Sequence, residues 1–112
     1  MQKLQSNQRM SKIVIHNETV YLSGQTGNAE DDIAAQTLTC LEKVAALLEE
    51  AGSDKSKMLS ATVWLKSMSD YAAMNEVWDK WFEGVPPPAR ACGESALARP
   101  ELLVEVTVIA AQ

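Results

Sequence analysis

Two stretches decide the fold: Pro86-Pro87-Pro88-Ala89-Arg90-Ala91-Cys92 and Leu102-Leu103-Val104-Glu105-Val106-Thr107-Val108-Ile109-Ala110. Three consecutive prolines forbid a helix and favour an extended chain, so Ala89 to Ser95 reads as a strand. The second stretch is almost continuously apolar. One face carries Leu102, Val104, Val106 and Val108; the other carries Leu103, Glu105, Thr107 and Ile109. A strand without a clean polar face is covered on both sides.

Met58 to Lys66 has the same character, with Met58, Ser60, Thr62 and Trp64 on one face and Leu59, Ala61, Val63 and Leu65 on the other. Upstream, Ile13–His16 and Thr19–Ser23 read as strands joined by a tight hairpin at Asn17-Glu18. Met1 to Lys12 is polar and shows no periodicity. Between the strands lie two helices. Asn28 is the expected N-cap of the first, with Glu30, Asp31 and Asp32 in its first turn. Its stripe is Ile33, Thr37, Cys40, Leu41, Val44, Leu47, Leu48 and Ala51, and Gly52 is the expected stop. Ser69 or Asp70 caps the second, whose stripe is Tyr71, Met74, Val77, Trp78, Trp81 and Phe82, ending at Gly84.

The order is β-β-α-β-α-β-β. Two helices cover one face of a five- or six-stranded sheet and leave the other bare. Since the central and last strands are apolar on both faces, the bare face must meet something apolar. A second copy of the chain is the simplest partner.

The chain has 112 residues, 46% of them hydrophobic and 22% charged, which fits one domain with a packed core. Its net charge of −5 disfavours nucleic acid and anionic lipid as partners. No segment reaches the ~20 apolar residues of a membrane helix, and the polar N-terminus lacks a signal-peptide core, so the cytosol is the expected compartment. Cys40 and Cys92 are read as reduced thiols, and His16 alone makes a zinc site improbable.

A few residues stand out for their chemistry. Glu105 interrupts an apolar strand; a buried carboxylate is expensive unless paired, and such a group can serve as a general base. An edge carboxylate facing water, or a structural ion pair, is the alternative. Arg90 follows the proline run, which limits backbone freedom, so its guanidinium can grip a carboxylate through two parallel hydrogen bonds; a solvated surface arginine, or a partner for a nearby acid, is the alternative. Cys92 lies two residues on, pointing to the same face. It is either a small buried hydrophobe or a thiol whose ionisation the cation assists. Ser23-Gly24-Gln25 ends a strand with a glycine that permits close approach of a ligand, or is ordinary turn chemistry. Asn75 is placed opposite most of the second helix's apolar stripe, as plain surface. No P-loop, dinucleotide fingerprint or metal-ligand cluster occurs.

Taken in order, Ser23-Gly24-Gln25, Asp70-Tyr71-Ala72-Ala73-Met74-Asn75, Pro88-Ala89-Arg90-Ala91-Cys92 and Val104-Glu105-Val106 resemble the RidA (YjgF-type) family over nearly the whole chain. The resemblance implies an α+β, chorismate-mutase-like two-layer sandwich, assembled as a homotrimer with ligand clefts between subunits. It implies hydrolysis of reactive imines and enamines to 2-keto acids and ammonia without a cofactor. Arg90 would then bind the substrate carboxylate and Glu105 would activate water. Ser23, Gly24, Cys92 and, more weakly, Asn75 would line the cleft. Archetypal members carry an N-terminal Tyr that reaches the cleft; here the corresponding stretch is Asn7-Gln8-Arg9-Met10-Ser11, so Arg9 is the candidate to enter in its place. A trimeric small-carboxylate binding or regulatory protein without turnover is the alternative function.

Overall fold

Asn17 and Glu18 both take positive φ, 50° and 61°. That is the backbone of a two-residue primed turn, whose twist matches the strands it joins. Those strands are β2, Ser11–His16, and β3, Thr19–Leu22, paired with Ile13 opposite Leu22 and Ile15 opposite Val20. The computed structural model describes all residues, 1–112.

The polar N-terminus is not structureless. Gln2–Ser6 forms β1, an outer strand pairing antiparallel with β2. It escapes a sequence reading because it buries almost nothing: Leu4 alone is half-buried, and the backbone ladder supplies the order. Gln5, at φ 51°, donates from Nε2 to Glu50 at 2.7 Å.

Helix α1 spans Ile33–Glu50, four residues later than an Asn28 cap would place it. Asp32 is the cap: its backbone is extended and its carboxylate accepts from the Ala35 amide at 2.9 Å. Asn28 instead opens a turn in which the Asp31 amide donates to its carbonyl. At the other end Gly52 has φ 80°, its amide donates to Glu49, and Ser53 donates to Leu48. This pair of bonds is the Schellman closure expected of a C′ glycine.

Short strand β4, Gln25–Thr26, precedes α1; β5, Met58–Leu65, follows it. Helix α2, Tyr71–Trp81, comes after a 3-10 turn at Met68–Asp70. The cap there is Ser67, whose hydroxyl accepts from the Ser69 amide, while Asp70 makes no capping bond. Strands β6, Ala89–Glu94, and β7, Val104–Ala111, complete the chain.

The sheet order is β1-β2-β3-β7-β5-β6, with β4 also paired to β7, giving seven strands where five or six were expected. All neighbours are antiparallel except β5 and β6. Both helices lie on one face. Their apolar stripes close a core with Ile13, Ile15, Val20, Ala61, Val63, Leu65, Val104, Val106 and Val108. This is the two-layer chorismate-mutase-like sandwich.

One alternation fails. Leu59 should share a face with Ala61, Val63 and Leu65, yet it is 52% exposed while those three are buried. An irregularity between Met58 and Ser60 shifts the register against β7 and reverses the parity there. No helix is long and apolar enough to cross a membrane.

Candidate functional site

The expected site residues fall into two groups on opposite faces of the sheet. On the helix-covered face, register places Arg90 beside Ala61 and Cys92 beside Val63. Strand β6 is the sheet's edge, so the long Arg90 side chain reaches out over α2. Its guanidinium carbon lies 5.0 Å from the Trp78 ring and 5.8 Å from the Tyr71 ring. Nη2 donates to the Tyr71 hydroxyl at 3.3 Å, and Nη1 approaches the Met74 sulfur at 3.9 Å. Arg90 has no carboxylate partner within the chain; the one ion pair joins Arg99 and Glu101. An unpaired guanidinium stacked on aromatic rings is preorganised for an external anion.

Cys92 shares this face, but its thiol is pushed up by burial, against the smaller opposing pull of Arg90. The neighbouring cation therefore does not make it a thiolate. Cys40 is buried in the core, where desolvation raises its pKa to about 12.

Asn75 does not sit opposite the stripe. It is half-buried, four residues from Tyr71 and three from Trp78, which puts it on the helix flank that carries the Arg90 contacts.

The second group is on the bare face. Glu105 pairs across β7 with Trp64 on one side and Thr26 on the other. Tyr21 opposes Ile109 and Gln25 opposes Val106, so four steps on one strand match three on the other. The extra residue is a β-bulge at Ser23-Gly24. The bulge presses Gly24 against Glu105: a Cβ built on Gly24 would lie 2.5 Å from Oε2 and 2.7 Å from Cδ. Only glycine leaves the carboxylate its place. The buried Gln25 donates from Nε2 to both the carbonyl and the hydroxyl of Ser23, fixing the bulge from behind. Lys43 of α1 donates to the Thr26 carbonyl at 2.7 Å.

The whole chain, residues 1–112, matches the family described as endoribonuclease L-PSP. The chain belongs to that family, the YjgF/Rid group. The RutC family protein YoaB of Escherichia coli K12 is 38% identical over 109 residues, covering 97% of this chain and 96% of that one. The crystal structure of a YjgF-family member from Neisseria meningitidis superposes with a TM-score of 0.93 at 39% identity, over 99% of this chain and 93% of that one. A Rid-family protein from Yersinia pestis gives 0.89 at 28% identity, covering 96% and 90%.

Within one Rid-family chain the two groups do not meet. Gly93, Trp64 and Glu105 form one row across β6, β5 and β7, and Arg90 is three residues from Gly93. Strand spacings put the Cα atoms of Arg90 and Glu105 roughly 14 Å apart, with side chains diverging to opposite faces. Arg9 is farther still. It sits in the β1–β2 turn, where its amide donates to Asn7 Oδ1, at the sheet edge opposite β6. No group of three or more His, Cys, Asp or Glu residues is placed to hold a metal ion.

Sequence reasoning missed Tyr71, Trp78 and Met74 as the seat of Arg90, because their helical spacing reads equally well as core. It also missed Gln25 as the brace behind Ser23. A buried polar residue inside a Gly-rich turn was the available signal.

Proposed function

We propose that the protein hydrolyses reactive imines and enamines of small amino acids to 2-keto acids and ammonia, in clefts formed between copies of the chain. The observation that carries this reading is the division of the site. Arg90 is seated without an anionic partner on one face, and Glu105 is seated against Gly24 on the other. Neither half is sufficient alone, and a neighbouring copy laid on the bare face brings them together.

That bare face supports the assembly. Tyr21, Leu59 and Trp64 are 43%, 52% and 39% exposed on it, with Ile109 half-buried beside them. An apolar sheet face of this kind favours a self-complementary partner. Three copies is the assembly that the resemblance implies. In such a cleft Arg9 reaches an Arg90 site only by crossing a subunit boundary.

The chemistry needs little. Arg90 binds the substrate carboxylate and orients the adjacent C=N carbon. Glu105 accepts a proton from water as its oxygen adds to that carbon, and the proton is delivered to nitrogen. The adduct's hydroxyl proton then passes through Glu105 to nitrogen, the C–N bond breaks, ammonia leaves and the C=O of the keto acid forms; an enamine enters this sequence as its imine tautomer. Ser23 and Gly24 wall the cleft, and Cys92 lies beside the anchor. The imine is already electrophilic, so the step makes no demand for a metal.

The net charge of −5 opposes the RNA binding that the family's description suggests. The missing N-terminal Tyr favours a second reading, binding of small carboxylates without turnover. One experiment separates the two. 2-Aminoacrylate is generated by a dehydratase and pyruvate release is timed with wild type, Arg90→Ala and Glu105→Gln. Acceleration lost in both variants supports the hydrolase. No acceleration by wild type, together with calorimetric binding of a 2-keto acid, supports the binding protein.

A further inference from the structure

Tyr71, Met74 and Trp78 meet Arg90 from one helix face, yet they are not equivalent. Trp78 is 4% exposed and Tyr71 is 39% exposed. Trp78 is thus the floor under the guanidinium and Tyr71 stands at the rim, where a ligand would arrive. The direction of the polar contact matters as well. Arginine has only donors, so in the 3.3 Å contact the Tyr71 oxygen accepts. Its own O–H is left free, and Tyr71 makes no other side-chain hydrogen bond. A hydroxyl that receives a bond from a cation is also polarised toward donating its proton onward.

We propose that Tyr71 is a second donor to the ligand carboxylate. One oxygen accepts from the Arg90 guanidinium and the other from the Tyr71 hydroxyl. This rests on the reading of Arg90 as the carboxylate anchor and narrows the ligand class: 2-keto and 2-imino acids with a free carboxylate bind, and their esters and amides do not. It also gives the protein a tyrosine hydroxyl at the anchor from helix α2, independent of the N-terminal segment.

The test is calorimetric titration with 2-ketobutyrate and its methyl ester, using wild type, Tyr71→Phe and Arg90→Ala. Phenylalanine keeps the ring beside the guanidinium and deletes only the hydroxyl. The expected result is a Kd raised about tenfold in Tyr71→Phe, with an unchanged unfolding midpoint and no ester binding by any form. In the hydrolysis assay the same variant raises KM and leaves kcat unchanged. If Tyr71→Phe binds as tightly as wild type while Arg90→Ala does not bind, the hydroxyl is no donor and the proposal is overturned, with the anchor intact. A Tyr71→Phe chain with a lowered midpoint and weakened binding of every ligand overturns it in favour of a structural role. If wild type does not bind the keto acid, the anchor reading fails and the proposal falls with it.

Discussion

Replacing Gly24 by Ala tests the bare-face half of the site most directly. The added methyl carbon would stand 2.5 Å from Glu105 Oε2, 2.7 Å from Cδ and 3.1 Å from Cγ. An ordinary contact needs about 3.4 Å or more, so the carboxylate must withdraw by roughly 0.9 Å. The backbone at Gly24 is not in the left-handed region, and alanine meets no penalty there. Glu105 is half-buried on a face open in the single chain, so it can swing aside at a cost of about 1 kcal/mol or less. Stability should barely change. A displacement of about 1 Å in a reacting group costs ~100-fold in rate. Gly24→Ala should therefore lower kcat for imine hydrolysis about 100-fold, with the unfolding midpoint within a few degrees of wild type and 2-keto acid binding at Arg90 retained. Pyruvate release, thermal unfolding and calorimetry read the three quantities. A variant hydrolysing within twofold of wild type would refute the argument that Glu105 works from the place Gly24 leaves it.

Asp32→Ala should destabilise the protein by about 1 kcal/mol through loss of the Ala35 capping bond, whereas Asn28→Ala should cost well under half of that; denaturant melts of the two compare them. Cys92 should alkylate more slowly than a free peptide thiol at neutral pH and speed up as pH rises, because burial raises its pKa and leaves less thiolate. Cys40, at about 12, should react only on unfolding; mass spectrometry after timed iodoacetamide exposure distinguishes the two. If copies pack through the bare face as proposed, Trp64→Asp should disrupt that assembly by charging it, read by sedimentation as a fall toward the 12.2 kDa chain.

Much of the layer arrangement was legible because it rests on period and punctuation. The Gly52 stop, the Asn17-Glu18 turn and the long α1 stripe are each set by residues within a few positions of one another. What escaped depends on partners far away. Strand β1 exists through its backbone bonds to β2, so its side chains carry no pattern. The α1 cap moved to Asp32 because Asn28 was taken by a local turn, a competition between two suitable residues. Leu59 turned outward because the register shift between Met58 and Ser60 reversed the alternation. The identities of Arg90 and Glu105 were readable as oddities in apolar or proline-bound surroundings. Their separation was not, since it follows from the parallel pairing of β6 and the antiparallel pairing of β7 on the same central strand.

Placing the cation and the acid on opposite sides of one polypeptide layer has a genetic consequence. If clefts form between copies as proposed, a cell carrying two alleles, one defective at Arg90 and the other at Glu105, makes mixed particles. Wherever the cation of the second product abuts the acid of the first, one whole cleft reappears. Two null copies would then complement each other, which a centre housed within a single polypeptide could never allow.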